Sequence, residues 1–328
     1  MRRILCAAAI GLLCAGAAMA DINPAVVYDV GSKFDKSFNE GVYNGAERFK
    51  EETGVAYAEF QITNEAQREQ AFRNFARRGY SPIIAVGFSQ APAVEAVAAE
   101  YPDTSFAIID MVVDLPNVQS IVFKEHEGSF LVGMIAAMAS ETGTVGFVGG
   151  MATPLTRRFA CGYVHGVQYV NPDAEIYQNM AGTTPAAWSD PVKGAELAKS
   201  QFDRGADVVF AAAGATGLGV LQAAADGGKL SIGVDSNQNY LHPGSVLTSM
   251  LKRVDVAAYD VFKTALDGTW EPGFRNLGLA EDGVGWALDE HNQALISDEM
   301  AAQVEAAGAA IVAGEMEIHD YMATNSCP

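Results

Sequence analysis

The stretch 25-AVVYDVGSKFDKSFNEGVYNGAERF-49 decides the fold. An apolar run, Ala25 to Tyr28, leads through a polar turn into a segment of helical period. Ser37 and Glu40 match S-x-x-E, a capping box in which each side chain covers an orphan backbone N–H at a helix start. Val42, Ala46 and Phe49 then form one apolar stripe, and Asp35 suits the positive end of the helix dipole. Phe38 has no place in this scheme. A large aromatic in the first turn, off the stripe, leaves apolar surface in water unless something covers it. From local chemistry alone, Asp35 and Phe38 read equally well as parts of a helix start and as ligand contacts.

The same alternation continues along the chain. Strands are expected at 25–30, 56–62, 82–88, 105–111 and 118–123, with helices at 37–52, 64–79 and 90–101; Ala93, Val94, Val97 and Ala98 make the stripe of the third. After a helix at 125–140, a second series of strands follows at 144–150, 175–181, 207–214, 230–235 and 245–251. Short, nearly continuous apolar strands separated by helices indicate parallel sheets covered on both faces. The chain is therefore α/β, with two doubly wound units in succession. The stretch beyond 252 begins with a helix, passes through the turn-rich 268–283 and ends in a helix near 297–314. It is too short for a third domain and is expected to pack onto the two lobes.

Residues 1–20, MRRILCAAAIGLLCAGAAMA, carry two arginines, an apolar run and Ala18-Met19-Ala20. This is the pattern of a secretory signal peptide cleaved after Ala20. Cys14 suggests lipidation, but Leu13 stands where a small residue is needed, so a freely soluble exported protein is expected. Losing Arg2 and Arg3 takes the 21 basic residues to 19 against 40 acidic ones. Such an excess of acid excludes nucleic acid, which demands basic surface, and disfavours anionic lipid. Cys161 and Cys327 remain in the mature chain, and sequence alone does not bring them within bridging distance. His126, His165, His242, His291 and His319 are scattered without zinc-like spacing, and neither metal nor cofactor is expected.

Ligands of open α/β sheets sit beyond the carboxyl ends of the strands. Those ends carry Gly87-Phe88, Asp110, Gly149-Gly150, Gly214 and Asp235. A single aspartate there caps the next helix as readily as it binds anything. Asp35, Asp110 and Asp235 converging on one cleft would instead accept hydrogen bonds from hydroxyls or amines and repel phosphate. Trp188, before a helix start with Ser189 or Asp190 as its cap, is a staple on its own helix or a second aromatic face opposite Phe38. Lys252 is a surface charge or a donor to ligand oxygens.

These residues resemble the basic-membrane-protein family of ABC-transporter substrate-binding proteins, whose characterised members bind purine nucleosides. The resemblance rests on D-K-S-F-N at 35–39 with Gly41 and Gly45, V-G-F at 86–88, I-D at 109–110 and the run from Phe123 to Gly133. F-V-G-G-M at 147–151, A-G-A-T-G-x-G-V at 213–220, G-V-D-S-N-Q at 233–238 and T-S-M-L-K at 248–252 complete it. It implies a type I periplasmic-binding-protein fold, with two lobes joined by three crossovers. One lobe would hold 21–123, the other 124–251, and 252–328 would divide between them. It implies a monomer that serves a membrane permease and its ATPase in the periplasm. Phe38 would stack on the base, Asp35 and Asn39 address its edges, and Asp110, Asp235 and Lys252 hold the ribose. Lys36, Ser37, Gly87, Phe88, Gly150, Trp188, Asp190, Gly214 and Gly217 complete the candidate set. Trp188 stands where many members have phenylalanine, which reshapes the base pocket and leaves a riboflavin-like ligand as an alternative.

Two enzyme readings compete. Gly214-Ala-Thr-Gly217-Leu-Gly219, with Asp235 ending the next strand, imitates a dinucleotide fingerprint, but its spacing is not G-x-G-x-x-G. Three acids could activate water for nucleoside hydrolysis, yet no nucleophile elbow or metal motif accompanies them. A sensory binding protein that presents its closed form to a receptor would carry the same sequence pattern.

Overall fold

The computed structural model describes residues 21–328; the expected signal peptide and Cys14 lie outside the described residues. The first series runs β1 (Ala25–Tyr28), α1 (Phe38–Thr53), β2 (Ala58–Gln61), α2 (Arg68–Arg77), β3 (Ile83–Val86), α3 (Ala91–Glu100), β4 (Phe106–Ile109) and β5 (Val118–Phe123). The second runs α4 (Glu125–Ala139), β6 (Thr144–Met151), α5 (Pro154–Val170), β7 (Glu175–Gly182) and α6 (Pro191–Phe202). It continues through β8 (Val208–Ala212), α7 (Ala215–Asp226), β9 (Leu230–Asp235) and β10 (Val246–Lys252). The tail adds α8 (Val254–Leu266), β11 (Gly273–Leu277), β12 (Val284–Trp286), α9 (Asp298–Val312) and α10 (Tyr321–Thr324).

Two six-stranded sheets result, ordered β11-β5-β4-β3-β1-β2 and β12-β10-β9-β8-β6-β7. Every residue of β1, β3 and β4 is buried, as expected of strands with helices on both faces. Val42, Ala46 and Phe49 of α1 are fully covered, and so is the α3 stripe. Among the named strands all pairings are parallel except that of β12 with β10, so the second sheet has one antiparallel edge. The turn-rich reading of 268–283 missed β11, which closes the edge of the first sheet by pairing with β5. Its sequence, GFRNL, buries only Leu277 and so carries no strand-like apolar signal. Three-residue β12 is equally inconspicuous.

The chain crosses between the sheets after β5, after β10 and after β11. These crossovers are stitched together: Lys124 N donates to Leu277 O at 2.9 Å, and Arg253 N donates to Gly283 O at 2.9 Å. Cys161 of α5 and Cys327 form a disulfide across 166 residues of sequence, which ties the C-terminus to the second lobe. Helices α4 and α5 meet at bare backbone. A Cβ on Gly166 would strike the Phe130 carbonyl, and one on Gly133 would strike that of Tyr163. Such a contact cannot absorb a methyl group without helix displacement. Gly166→Ala is therefore expected to lower stability by about 1–3 kcal/mol, measured as a shift of the denaturant midpoint at unchanged m-value.

Candidate ligand-binding site

The carboxyl ends of β1, β3 and β4 face those of β8 and β9 across the crease between the lobes, with the start of α5 beside them. There the structure encloses a cavity of about 760 Å³, part of it open to solvent. Its floor is the hinge. Lys252, the last residue of β10, is 2% exposed. Its ammonium lies 2.6 Å from Asp110 Oδ1 and 2.9 Å from Glu125 Oε1. The rings of Phe38, Phe123 and Phe159 surround it, with centroids 5.2, 5.1 and 5.5 Å away. Burial opposes the charge on Lys252, but Asp110, Glu125 and Asp235 more than offset it and hold the group protonated, above its ordinary range.

Asp110, just after β4, and Asp235, the last residue of β9, take φ of 73° and 64°. The left-handed region is uncommon for any side chain but glycine, and Asp is among the residues that tolerate it. The bend turns both carboxylates into the crease. Burial pushes both acids up, against the pull of Lys252; Asp235 reaches about 6.

The β1–α1 turn departs from the capping-box expectation. Ser37 makes no side-chain cap; its hydroxyl reaches across the crease and donates to Asp235. Asp35 is the cap instead, accepting from the N–H groups of Ser37, Asn39 and Glu40 at 2.9, 3.0 and 3.1 Å. Burial raises its pKa, and these hydrogen bonds only partly restrain it. Glu40 holds Lys36 by both its N–H and its ammonium. One geometric reason explains the exchange. Asp35 stands far enough before the helix for its two oxygens to span three orphan N–H groups, which frees Ser37 for the other lobe.

Ten residues of the candidate set line the cavity: Asp35, Phe38, Asn39, Gly87, Phe88, Asp110, Trp188, Gly214, Asp235 and Lys252. Five do not. Lys36 sits on the outer side of its turn in the Glu40 pair, and Ser37 is consumed by Asp235. Gly150 lies behind Trp188, where a Cβ would run into the indole, so it seats the ring. Asp190 is exposed and caps α6 through the Lys193 N–H. Gly217 is buried within α7 against Ala211. Gly214 sits at φ 56° beside the Trp188 carbonyl, which makes the G-x-x-G-x-G run a seat for the indole and a helix start.

Several lining residues escaped sequence reasoning. Asp29, absorbed into the first strand there, follows β1, pairs with Arg68 at 2.9 Å and accepts from Ser89. Leu155, Thr156 and Phe159 come from the first turns of α5, and Ser189 follows Trp188. A strand-end rule applied strictly would have found Asp29; α5 offered no local signal. Glu125, read as a helix start, is that, and its fully buried carboxylate also bridges Lys252 and Arg158. Among the described residues the cavity wall carries four aspartates and one cation, Lys252. Asn39 Oδ1 is buried there without a protein donor.

The family model for Bmp, described as ABC transporter substrate-binding protein PnrA-like, matches residues 22–321. The chain belongs to this family. It is 36% identical to an uncharacterized lipoprotein of Pyrococcus horikoshii, over 82% of this chain and 69% of that one. It is 31% identical to the ABC transporter nucleoside-binding protein BmpA of Lactococcus lactis, over 84% of each. A crystal structure of an ABC-transporter solute-binding protein from Aeropyrum pernix superposes with TM-score 0.83 at 30% identity, covering 90% of this chain and 93% of that one. This Bmp-family protein is thus a substrate-binding protein of an ABC transporter, with a small-molecule ligand and a membrane transporter as partners.

Removing the central cation tests the floor. In Lys252→Met, Asp110 loses its ion-pair partner and Asp235 the nearby positive charge that offsets its burial, which costs about 3–5 kcal/mol near neutral pH. Asp110 and Asp235 have folded pKa values above their unfolded ones, so the folded state binds the extra protons and the deficit shrinks as pH falls toward 5. Urea titrations of parent and variant between pH 5 and 8 should show the gap narrowing in acid.

Proposed function

We propose that this protein captures a purine nucleoside between its lobes and delivers it to a membrane permease and its ATPase. It would act as a monomer in the periplasm after loss of residues 1–20, without chemistry of its own. The observation that carries this reading is the composition of the cavity wall. Four aromatic side chains, Phe38, Phe88, Phe159 and Trp188, share it with acceptors and a single ammonium already committed to Asp110. Aromatic faces suit a flat ring, and carboxylates suit the hydroxyls of a sugar and the N–H groups of a base. Asn39 Oδ1 needs a donor, which such a base edge supplies. A phosphate would meet four aspartates, so a nucleotide is disfavoured. The relative from Lactococcus, named as nucleoside-binding, supports the same ligand class.

The acids that a hydrolase would use are occupied in ways that suit binding better. Asp110 pairs with Lys252, Asp235 accepts from Ser37, and Asp35 is held by three backbone N–H groups. Asp110 and Asp235 keep acceptor positions for a ligand, whereas those of Asp35 are filled from within its own turn.

Calorimetric titration with nucleosides, free bases, nucleotides, riboflavin and sugars tests the reading. Purine nucleosides should bind, and their monophosphates far more weakly. Phe38→Ala should cost about 1–3 kcal/mol of stacking, and Asp235→Ala about 1.5–3 kcal/mol for a charge-assisted hydrogen bond. If both variants bind as the parent does, the site is wrongly assigned; turnover of the nucleoside would overturn the transport reading.

The pH dependence has a definite sign. A ligand hydroxyl favours ionised Asp235, whose free-protein pKa is pushed up to about 6. Binding therefore releases a proton below that value, and affinity should fall as pH drops from 7 to 5 while changing little from 7 to 8. Affinity that holds steady down to pH 5 would remove Asp235 from the contact.

A further inference from the structure

The D-K-S-F-N motif contains residues that the cavity does not use. Lys36 takes a φ of 60°, and Glu40 pins it there by accepting from both its N–H and its ammonium, at 3.0 and 2.9 Å. The turn presents the carbonyls of Lys36 and Ser37 to the opposite lobe, where two side chains just after β9 meet them. Ser236 Oγ donates to Ser37 O at 2.9 Å, and Gln238 Nε2 donates to Lys36 O at 2.8 Å. The Ser37 hydroxyl completes the contact by donating to Asp235 and, at 3.3 Å, to Val234 O.

The receiving side is rigid. Gln238 is 2% exposed. Its Oε1 accepts from Val234 N at 2.9 Å, and its own N–H donates to Ser249 Oγ at 2.9 Å. Its amide nitrogen is therefore aimed at the first lobe before the lobes meet. Neither Ser236 nor Gln238 lines the cavity. Both bonds join the two lobes, so both must break when the cleft opens, whatever the ligand is.

We propose that Ser236 and Gln238, with the Lys36–Ser37 turn, form a latch outside the ligand cavity that holds the cleft closed and thereby sets how long the ligand stays. These are positioning residues, for they act on the closed arrangement and touch no ligand. The inference rests on the reading that the lobes close around a ligand, but not on which ligand that is. A contact made only in the closed state favours that state by its own free energy, and its loss falls mainly on the dissociation rate.

Stopped-flow release of a bound purine nucleoside tests this. Ser236→Ala removes one crossing bond and nothing else that the hydroxyl donates to. It should raise koff about 2- to 12-fold, the equivalent of one net hydrogen bond, with kon unchanged. Ser236→Ala combined with Gln238→Met should raise it further. A koff equal to the parent's in both variants overturns the latch. So does a koff that rises only together with a loss of ligand-free thermal stability, which would mark a local packing role. Should the parent bind no nucleoside, the nucleoside reading falls, and the latch is judged by small-angle scattering of the ligand-free proteins. The double variant should then have the larger radius of gyration, and superimposable curves overturn the proposal.

Discussion

Lys252 carries its charge where water hardly reaches it, and the rest of the molecule is arranged around that constraint. A buried ammonium is tolerated only with compensating carboxylates at close range. Asp110 comes from the first sheet, Glu125 from the first crossover, and Lys252 itself from the second. Glu125 in turn engages Arg158 of α5, which forms a two-pronged pair with Asp320 of the C-terminal segment. The chain of charges thus runs from the ligand cavity through the hinge to the tail, which the disulfide fastens to α5. Removing Lys252 strands Asp110 and removing Arg158 strands Asp320, while Glu125, shared by both cations, links floor, hinge and tail.

What was legible in the sequence followed from how locally each feature is caused. The central strands of both sheets announce themselves because a strand buried on both faces must be apolar throughout. Val118–Phe123 and Leu230–Asp235 needed no adjustment at all. Edge strands β11 and β12 need no such composition, so their pairing is visible only in three dimensions. The same divide runs through the site. Phe38 stood out because helix formation could not account for it, and Asp110 and Asp235 because strand ends point at clefts. Asp35 and Ser37 had their duties exchanged, since S-x-x-E describes a cap only if the serine has no better partner. Its better partner is Asp235, 198 positions away.

The acid excess takes on a local meaning at the crease. Bringing four aspartates and Glu125 to one small volume would separate the lobes by repulsion if nothing offset it. Lys252 and Arg68 neutralise part, backbone N–H groups satisfy Asp35, and burial keeps Asp235 near the edge of ionisation. The remaining demand is for hydrogen-bond donors, and the Ser37 hydroxyl meets a share of it from within the chain. A ligand hydroxyl approaching Asp235 therefore joins or replaces a donor of its own chemical kind, at small electrostatic cost. A cation in the same place would gain Coulomb energy, but on the proposed reading the ring faces of Phe38 and Trp188 favour a flat uncharged body as well.

On the proposed reading, gripping and closing fall to different atoms of one motif. The side chains of Asp35, Phe38 and Asn39 face the cavity, while the main-chain carbonyls of Lys36 and Ser37 face the other lobe. Carbonyl groups cannot be changed by substitution, so the site can diverge in ligand through Phe38, Asn39 or Trp188 without losing its means of closure. The opposite constraint holds at Ser236 and Gln238, whose side chains meet those carbonyls: they can vary only by altering how firmly the lobes hold together. In this arrangement ligand identity and residence time are separately adjustable, although both depend on a turn of two residues.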